Sequence, residues 1–323
     1  MMFTRRHAAG LLALPLAAPS LARAQAFPQD RPIRAVVNFP PGGTVDTVAR
    51  LIAPALSERL GRQVVVENRG GASGLVGAEA VVRAAPDGHT LLFALSTHAV
   101  NPHMVPRMPF DTLADFAPVG FIGGAPVLMA AHPSSPFRTL AEVIAAGRVG
   151  EGPHYGTIGN GSTGHLMMAQ LSTLTGARFT HVPFRGGGPA VQAALGGQVP
   201  LVITSTVAVG PQVQAGNLRG VALSGAERSS VHPSVPTVAE QGFPGFAADS
   251  WVGVLAPART PEAAVARINA DLGAVLATPA IQERLAGIGM TPRAMTPAEF
   301  GAFVASEYER WGKVVREHRI TSD

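Results

Sequence analysis

Ile33-Arg34-Ala35-Val36-Val37-Asn38-Phe39-Pro40-Pro41-Gly42-Gly43-Thr44-Val45-Asp46-Thr47-Val48-Ala49-Arg50 carries three signals in a row. Ile33 to Asn38 is a short apolar run and reads as a buried strand. Pro40-Pro41-Gly42-Gly43 is a turn that neither helix nor strand could contain. Thr44 reads as a helix N-cap, and Asp46 falls in the first turn, where negative charge is favoured. Val48, Leu51, Ile52, Ala55, Leu56 and Leu60 continue at helical spacing, and Gly61 ends the helix. A strand, a glycine turn and a helix start aim backbone N–H groups and a positive dipole end at one spot, which suits an anion. Alone, such a turn is an ordinary strand-to-helix connection; its weight comes from a second one further on.

The next segments are a strand at Gln63 to Glu67, a flexible loop at Arg69 to Gly74, and a helix at Leu75 to Ala84 stopped by Pro86-Asp87-Gly88. Thr90 to Leu95 is a third strand, followed by Ser96-Thr97-His98. This β-α-β-α-β order implies a parallel sheet covered by helices. Ligands of such sheets sit at the carboxyl ends of the strands, which puts Pro40 to Thr44 and Ser96 to His98 on one rim. Asn101 to Pro118 reads as irregular, and Val119 to Ile122 and Val127 to Ala131 as two strands. Beyond a short helix at Thr139 to Ala146, a second β-α set begins. Strand His154 to Ile158, loop Gly159-Asn160-Gly161-Ser162-Thr163-Gly164 and helix His165 to Leu174 lead it. Strand Thr180 to Pro183 and the glycine turn Phe184 to Pro189, opening helix Ala190 to Leu195, come next. Strands at Val199 to Thr204 and Val221 to Leu223 are followed by a short helix at Val235 to Glu240 and an extended segment at Ala248 to Ala256. Pro261 to Ala277 and Pro297 to Glu317 are amphipathic helices. The fold class is therefore α/β in two lobes. Lobe 1 is expected to be discontinuous, 27–124 plus 248–323, with lobe 2 at 125–247 and hinge crossings near Gly123 and Ala248.

Met1 to Ala24 reads as a signal peptide: Arg5-Arg6, an apolar stretch from Leu11 to Leu21, and Ala22-Arg23-Ala24 as a small-x-small cleavage site. The Sec and twin-arginine routes both remain open. The protein is expected in the periplasm, soluble and monomeric. Of 25 basic residues, three lie in that segment, leaving 22 against 21 acidic ones. That balance argues for no nucleic-acid partner. With no cysteine there is no disulfide, thiol nucleophile or thiolate metal site. Lys313 is the only lysine and stands in no phosphate-binding or Schiff-base context.

Gly159-x-Gly161-x-x-Gly164 matches the spacing of a dinucleotide loop, but no acidic residue follows the next strand to hold a ribose. The same loop is no nucleophile elbow, because Asn160 replaces the first glycine. The histidines are scattered, and none sits in a metal-binding pattern. His165 suits loop stabilisation better than proton transfer. Asp46 is a candidate acid with no second carboxylate on its rim, and a helix-start cap suits it better. No metal and no cofactor is expected. What remains is a helix start in each half, rich in glycine and hydroxyls, shaped to hold a small anion between two lobes.

At these residues the chain resembles the periplasmic substrate-binding receptors of tripartite tricarboxylate transporters, the Bug-type receptors. The likeness is carried by Phe39-Pro40-Pro41-Gly42-Gly43-x-x-Asp46-x-x-Ala49-Arg50, Val66-Glu67-Asn68-Arg69-x-Gly71-Ala72 and Pro86-Asp87-Gly88-x-Thr90-Leu91-Leu92. Gly186-Gly187-x-Pro189-Ala190, Gly196-Gly197-Gln198-Val199, Val235-Pro236-Thr237-Val238-x-Glu240 and Trp251-x-Gly253 extend it over nearly the whole mature chain. The resemblance implies a two-lobed type II periplasmic binding protein fold. It implies a small organic carboxylate, a di- or tricarboxylate, bound in the interlobe cleft and passed to permease subunits, with no enzymatic activity. It places Pro41, Gly42, Gly43, Thr44, Asp46 and Ser96 in the first-lobe site, and Gly161, Ser162, Thr163 and Gly164 in the second. Thr204 and Ser205 stand where the family often has an Asp-Asn pair, and Arg185 where it often has lysine. An exported hydrolase using the same cleft, or a ligand sensor for a signalling partner, is the alternative.

Overall fold

A computed structural model describes residues 27–320. The signal peptide expected at Met1 to Ala24 lies outside them. In chain order the elements are β1 (Ile33–Val37), α1 (Thr44–Leu60), β2 (Val64–Asn68), α2 (Leu75–Val82), β3 (Thr90–Leu95), α3 (Thr97–Met104) and β4 (Phe116–Ala131). Then come α4 (Leu140–Gly147), β5 (His154–Thr157), α5 (Thr163–Thr175), β6 (Thr180–Pro183), α6 (Gly187–Leu195), β7 (Leu201–Ser205), α7 (Thr206–Gln214) and β8 (Arg219–Leu223). β9 (Asp249–Pro257), α8 (Glu262–Leu276), α9 (Pro279–Gly287), β10 (Thr291–Pro292) and α10 (Pro297–Glu317) complete the chain.

β1 lies between β2 and β3 and pairs parallel with both, as the β-α-β-α-β pattern requires. Its side chains alternate between two cores. Ile33, Ala35 and Val37 pack with the α1 face of Val45, Val48, Ile52 and Leu56, whereas Val36 packs with Leu75 and Val81 of α2. Helices on both faces explain why the strand reads as one continuous apolar run. The second half repeats the plan: β5 pairs parallel with β6 and β7.

β4 joins the halves. It is a single strand of 16 residues, not the two strands that Gly123-Gly124-Ala125-Pro126 suggests. Phe116 to Pro126 pairs antiparallel with β9, and Val127 to Ala131 continues onto β7 and β8. The register slips between Pro118 and Gly120 and between Phe121 and Gly123. Bulges of this kind bend a strand without ending it. The glycines serve close approach: a Cβ on Gly123 would lie 2.6 Å from the Thr291 carbonyl oxygen.

Other departures have similar causes. The irregular stretch from Asn101 begins inside α3, which accommodates Pro102, and Thr204-Ser205-Thr206 leads into α7, which accommodates Pro211. The helix expected at Val235 to Glu240 is only a turn. Thr237 and Glu240 make reciprocal bonds there, with the Glu240 N–H to Thr237 Oγ1 at 3.1 Å and the Thr237 N–H to Glu240 Oε2 at 2.8 Å. That is a helix-starting pair with no helix after it.

Candidate functional site

Each β-α junction at the carboxyl end of the sheet delivers a helix start to the seam between the halves. Gly43 caps α1, Ser96 α3, Ser162 α5, Gly186 α6 and Ser205 α7. These starts meet across the seam. Thr44 Oγ1 lies 2.6 Å from Ser205 Oγ, and Ser96 Oγ lies 3.1 Å from Thr163 Oγ1 and 3.3 Å from Ser250 Oγ. All five hydroxyl residues are buried. The Pro-Gly-Gly turn touches the Gly186–Gly188 turn: a Cβ on Gly43 would lie 3.5 Å from Gly187 N, and one on Gly188 would lie 3.0 Å from the Pro41 carbonyl oxygen. The cleft is therefore closed.

The first N–H groups of a helix have no intrahelical acceptor. Among the described residues, those of Gly43, Thr44, Gly187 and Gly188 donate to nothing. Thr204 Oγ1 is buried beside Gly187 and also has no partner. Donors without acceptors, set at positive helix ends, can take an anion and cannot take a cation.

Beside this seam is a cavity of about 190 Å³ whose walls come from both halves: Phe39 and Gly71 to Gly74 on one side, Ile158 to Asn160 and Pro183 to Arg185 on the other. Ser73 Oγ donates to the Asn160 carbonyl at 3.0 Å across it, and Asn101 Nδ2 holds the Ser73 carbonyl at 3.1 Å. Ala72 and Ser73 have φ of 46° and 52°. Left-handed backbone at two non-glycine residues is strain, and strain of this kind clusters at ligand sites. Arg185 is exposed at the mouth, and its guanidinium forms no ion pair or hydrogen bond with the described residues.

The family of tripartite tricarboxylate transporter receptors matches residues 48–320 of this sequence. The chain belongs to that family. Its structure is similar to that of the periplasmic binding protein BugD, with a TM-score of 0.87 and 29% identity over 91% of this chain and 100% of that one. It is also similar to Rpa4515 of R. palustris solved with adipate (TM-score 0.88, 35% identity, 92% and 99% coverage). MatC from Rhodopseudomonas palustris with bound malate is a third (TM-score 0.84, 34% identity, 90% and 100% coverage). The protein is thus a Bug-type receptor of periplasmic type with the two-lobed periplasmic binding fold, and not an enzyme.

Within this receptor the expected site residues have distinct duties. Thr44 is not the N-cap: Gly43 is, and the Thr44 hydroxyl is free to face Ser205. Asp46 builds the loop. Its Oδ2 accepts the Gly42 N–H at 3.0 Å, and its Oδ1 accepts Arg50 Nε and Asn68 Nδ2, both at 2.9 Å. Burial works to raise its carboxyl, but these bonds from Arg50, Gly42 and Asn68 outweigh that and hold it below the usual aspartate value. Pro41 and Gly42 lie on the exposed side of the turn. Ser162 Oγ caps the His165 N–H, and His165 Nδ1 accepts the Gly161 N–H at 3.2 Å, so His165 stabilises the loop. Gly164 is a packing glycine: a Cβ there would lie 2.4 Å from the Ile203 carbonyl oxygen. The Gly161–Gly164 loop packs on Val100, Met104 and Ser96 of the first half, while the Pro-Gly-Gly turn meets Gly186–Gly188 and Ser205.

Sequence reasoning left Gly71–Gly74 and Gly186–Gly188 out of its candidate residues, although they line the cavity and the seam. Their signal was present, because both stand at carboxyl ends of parallel strands, where ligands bind. Among the described residues no three histidine or acidic side chains come together as metal ligands would.

Proposed function

We propose that this receptor binds a small organic dicarboxylate between its lobes and delivers it to the permease subunits of a tripartite tricarboxylate transporter. The observation that carries the reading is the closed seam of helix starts, with donor N–H groups and hydroxyls in pairs across it. Charge-assisted hydrogen bonds of this type contribute roughly 1.5–3 kcal/mol each. The first carboxylate is assigned to Gly43, Thr44, Ser205, Thr204 and the Gly187–Gly188 turn, with Ser96, Ser162 and Thr163 closing the other side. The second is assigned to the mouth, where Arg185 has no partner among the described residues. Adipate and malate in two solved relatives support a ligand of this class.

The lobes are taken as 27–124 with 248–323, and 125–247. The continuity of β4 across Gly124–Ala125 and the run of β9 beside it support hinge strands at those edges. The protein is taken to be exported by the Sec or twin-arginine route and to act as a monomer.

Calorimetry of ligand-stripped protein against malate, succinate, glutarate, adipate and their monoesters tests the reading. One diacid should bind at least tenfold more tightly than its monoester, and Arg185→Ala should erase most of that difference. A monoester that binds as well as its diacid would refute the two-ended site.

A further inference from the structure

The hinge has a back as well as a front. Side chains alternate along a strand. On β9, Ser250 turns its hydroxyl into the cleft toward Ser96, so Asp249 and Trp251 point to the opposite face. On β4, Gly124 and Pro126 stand opposite Trp251 and Asp249 in register and share that rear face. There the structure has a groove of about 540 Å³, continuous through Ala226, Asp249 and Thr291 with a second hollow of about 470 Å³. One bank is the loop from Gly225 to Ser230, after β8; the other is the segment from Ala286 to Met295, with α10 above it. The banks therefore belong to the two sides that the hinge strands join. Folding the molecule about β4 and β9 so that the front closes must spread the back.

Its chemistry is specific. Phe121, Trp251 and Phe303 form an aromatic wall, with centroids 5.1 Å apart for Phe121–Phe303 and 5.7 Å for Trp251–Phe303. Beside it the Asp249 carboxylate makes no ion pair and no hydrogen bond with any described residue. Two of the neighbouring charges, Glu307 and Arg310, are already committed. Glu307 accepts from Trp251 Nε1 at 3.3 Å, Trp311 Nε1 at 2.9 Å and Arg310 Nη1 at 3.1 Å. Arg310 gives its other arm to the Ala247 carbonyl at 2.8 Å. Arg293 stands exposed at the rim, without an ion pair to Asp249. Asp249 is exposed to solvent at the groove, and the protein crowded round its carboxyl pushes it up, with Arg310 drawing it back and Glu307 adding to the rise. A carboxylate that makes no direct ion pair, beside an aromatic wall, is complementary to an ammonium group on an apolar body, which must compete there with Arg293 and Arg310.

We infer that the groove behind the hinge is a second ligand site, for a small aromatic or aliphatic amine, whose occupation wedges the lobes toward the closed form. The part of this that concerns acid affinity rests on the carboxylate reading above; the site and the wedge do not. A ligand that prefers the closed state shifts the equilibrium toward it, and the coupling is reciprocal.

Phenethylamine is the probe, and 3-phenylpropionate, its anionic counterpart, the control. Titrated into acid-free protein, phenethylamine should bind, 3-phenylpropionate should not, and Asp249→Asn should weaken amine binding at least tenfold. Saturating amine should shrink the radius of gyration in solution scattering with no acid present. Ala226→Trp, which fills the groove from an exposed position, should do the same without amine. For a diacid that the cleft binds, saturating phenethylamine should tighten its affinity about fivefold, and the diacid should tighten amine binding by the same factor. No amine binding, binding that survives Asp249→Asn, or binding without compaction would overturn the inference. Amine binding with compaction but no bound diacid would leave the rear site standing and refute the carboxylate reading instead.

Discussion

Gly188→Ala separates closure from folding. Gly188 lies in the first turn of α6 and its backbone is not left-handed, so alanine suits its local conformation. Within its own half the added Cβ meets nothing close. Its near neighbour is the Pro41 carbonyl oxygen across the seam, at 3.0 Å. That is a few tenths of an ångström inside ordinary contact, and the obstacle is backbone on a proline turn, which yields poorly. Overpacking of this kind costs about 1–3 kcal/mol. The cost falls on the closed form alone. Since 1.4 kcal/mol is tenfold, affinity for the cleft ligand should drop about 5- to 150-fold. Stability should hold or rise, because replacing glycine in a helix gains up to about 0.5–1 kcal/mol. Calorimetry with a diacid that the wild type binds, with thermal melts of both proteins free of ligand, makes the test. Unchanged affinity would show that the Gly188–Pro41 approach does not belong to the bound state. An unfolded or strongly destabilised variant would show that the two turns support folding, contrary to their place at a seam.

Gly164→Ala should do the reverse: its Cβ would drive into the Ile203 carbonyl within one half, so melts should show a loss of about 1–3 kcal/mol. Thr44→Val and Ser205→Ala, followed through a double-mutant cycle on diacid affinity, should each weaken binding and together weaken it by less than the sum, because either alone strands the other buried hydroxyl; full additivity would mean that the pair does not act together. His98 is buried against Phe110 and Phe116, and burial lowers its pKa from 6.5 to about 4. The folded state thus favours neutral His98, and its contribution, at most about 3 kcal/mol, is intact above pH 6.5 and lost as the pH falls toward 4. Denaturant titrations between pH 7 and 4 should show less loss in His98→Leu than in the wild type, and parallel curves would exclude His98 as the source.

The fold was legible where local and global signals agree. Ile33 to Val37 is apolar because helices cover both faces of β1, and Gly61 ends α1 in the left-handed conformation that its sequence position demands. Thr90–Leu95, Thr180–Pro183 and Pro297–Glu317 fall where their patterns put them. Legibility failed at β4. Gly123-Gly124-Ala125-Pro126 has the composition of a loop, yet pairing with β9 satisfies its backbone through the whole stretch. A long-range partner supplied what the local sequence lacked. α3 and α7 were missed for the opposite reason, since Pro102 and Pro211 read as breaks while tertiary packing holds the helices together.

The glycine turns and helix starts were legible in the sequence, and which of them meet was not. Each glycine turn announces a helix start, and a helix start announces an anion site. Which starts face each other is set by the angle between two lobes, and no residue near Gly43 records that its partner is Gly187, 144 positions later. The same limit explains Asp46. Its place in the first helical turn predicts a stabilising charge, but only the fold brings Asn68 from β2 and Arg50 from the next turn to consume that charge. With the ionised Asp46 held by Gly42, Arg50 and Asn68, the α1 start turns its unpaired N–H groups to the seam. On the carboxylate reading proposed above, the acid beside the loop would help a second acid to bind there, by fixing the turn while Arg50 offsets its charge.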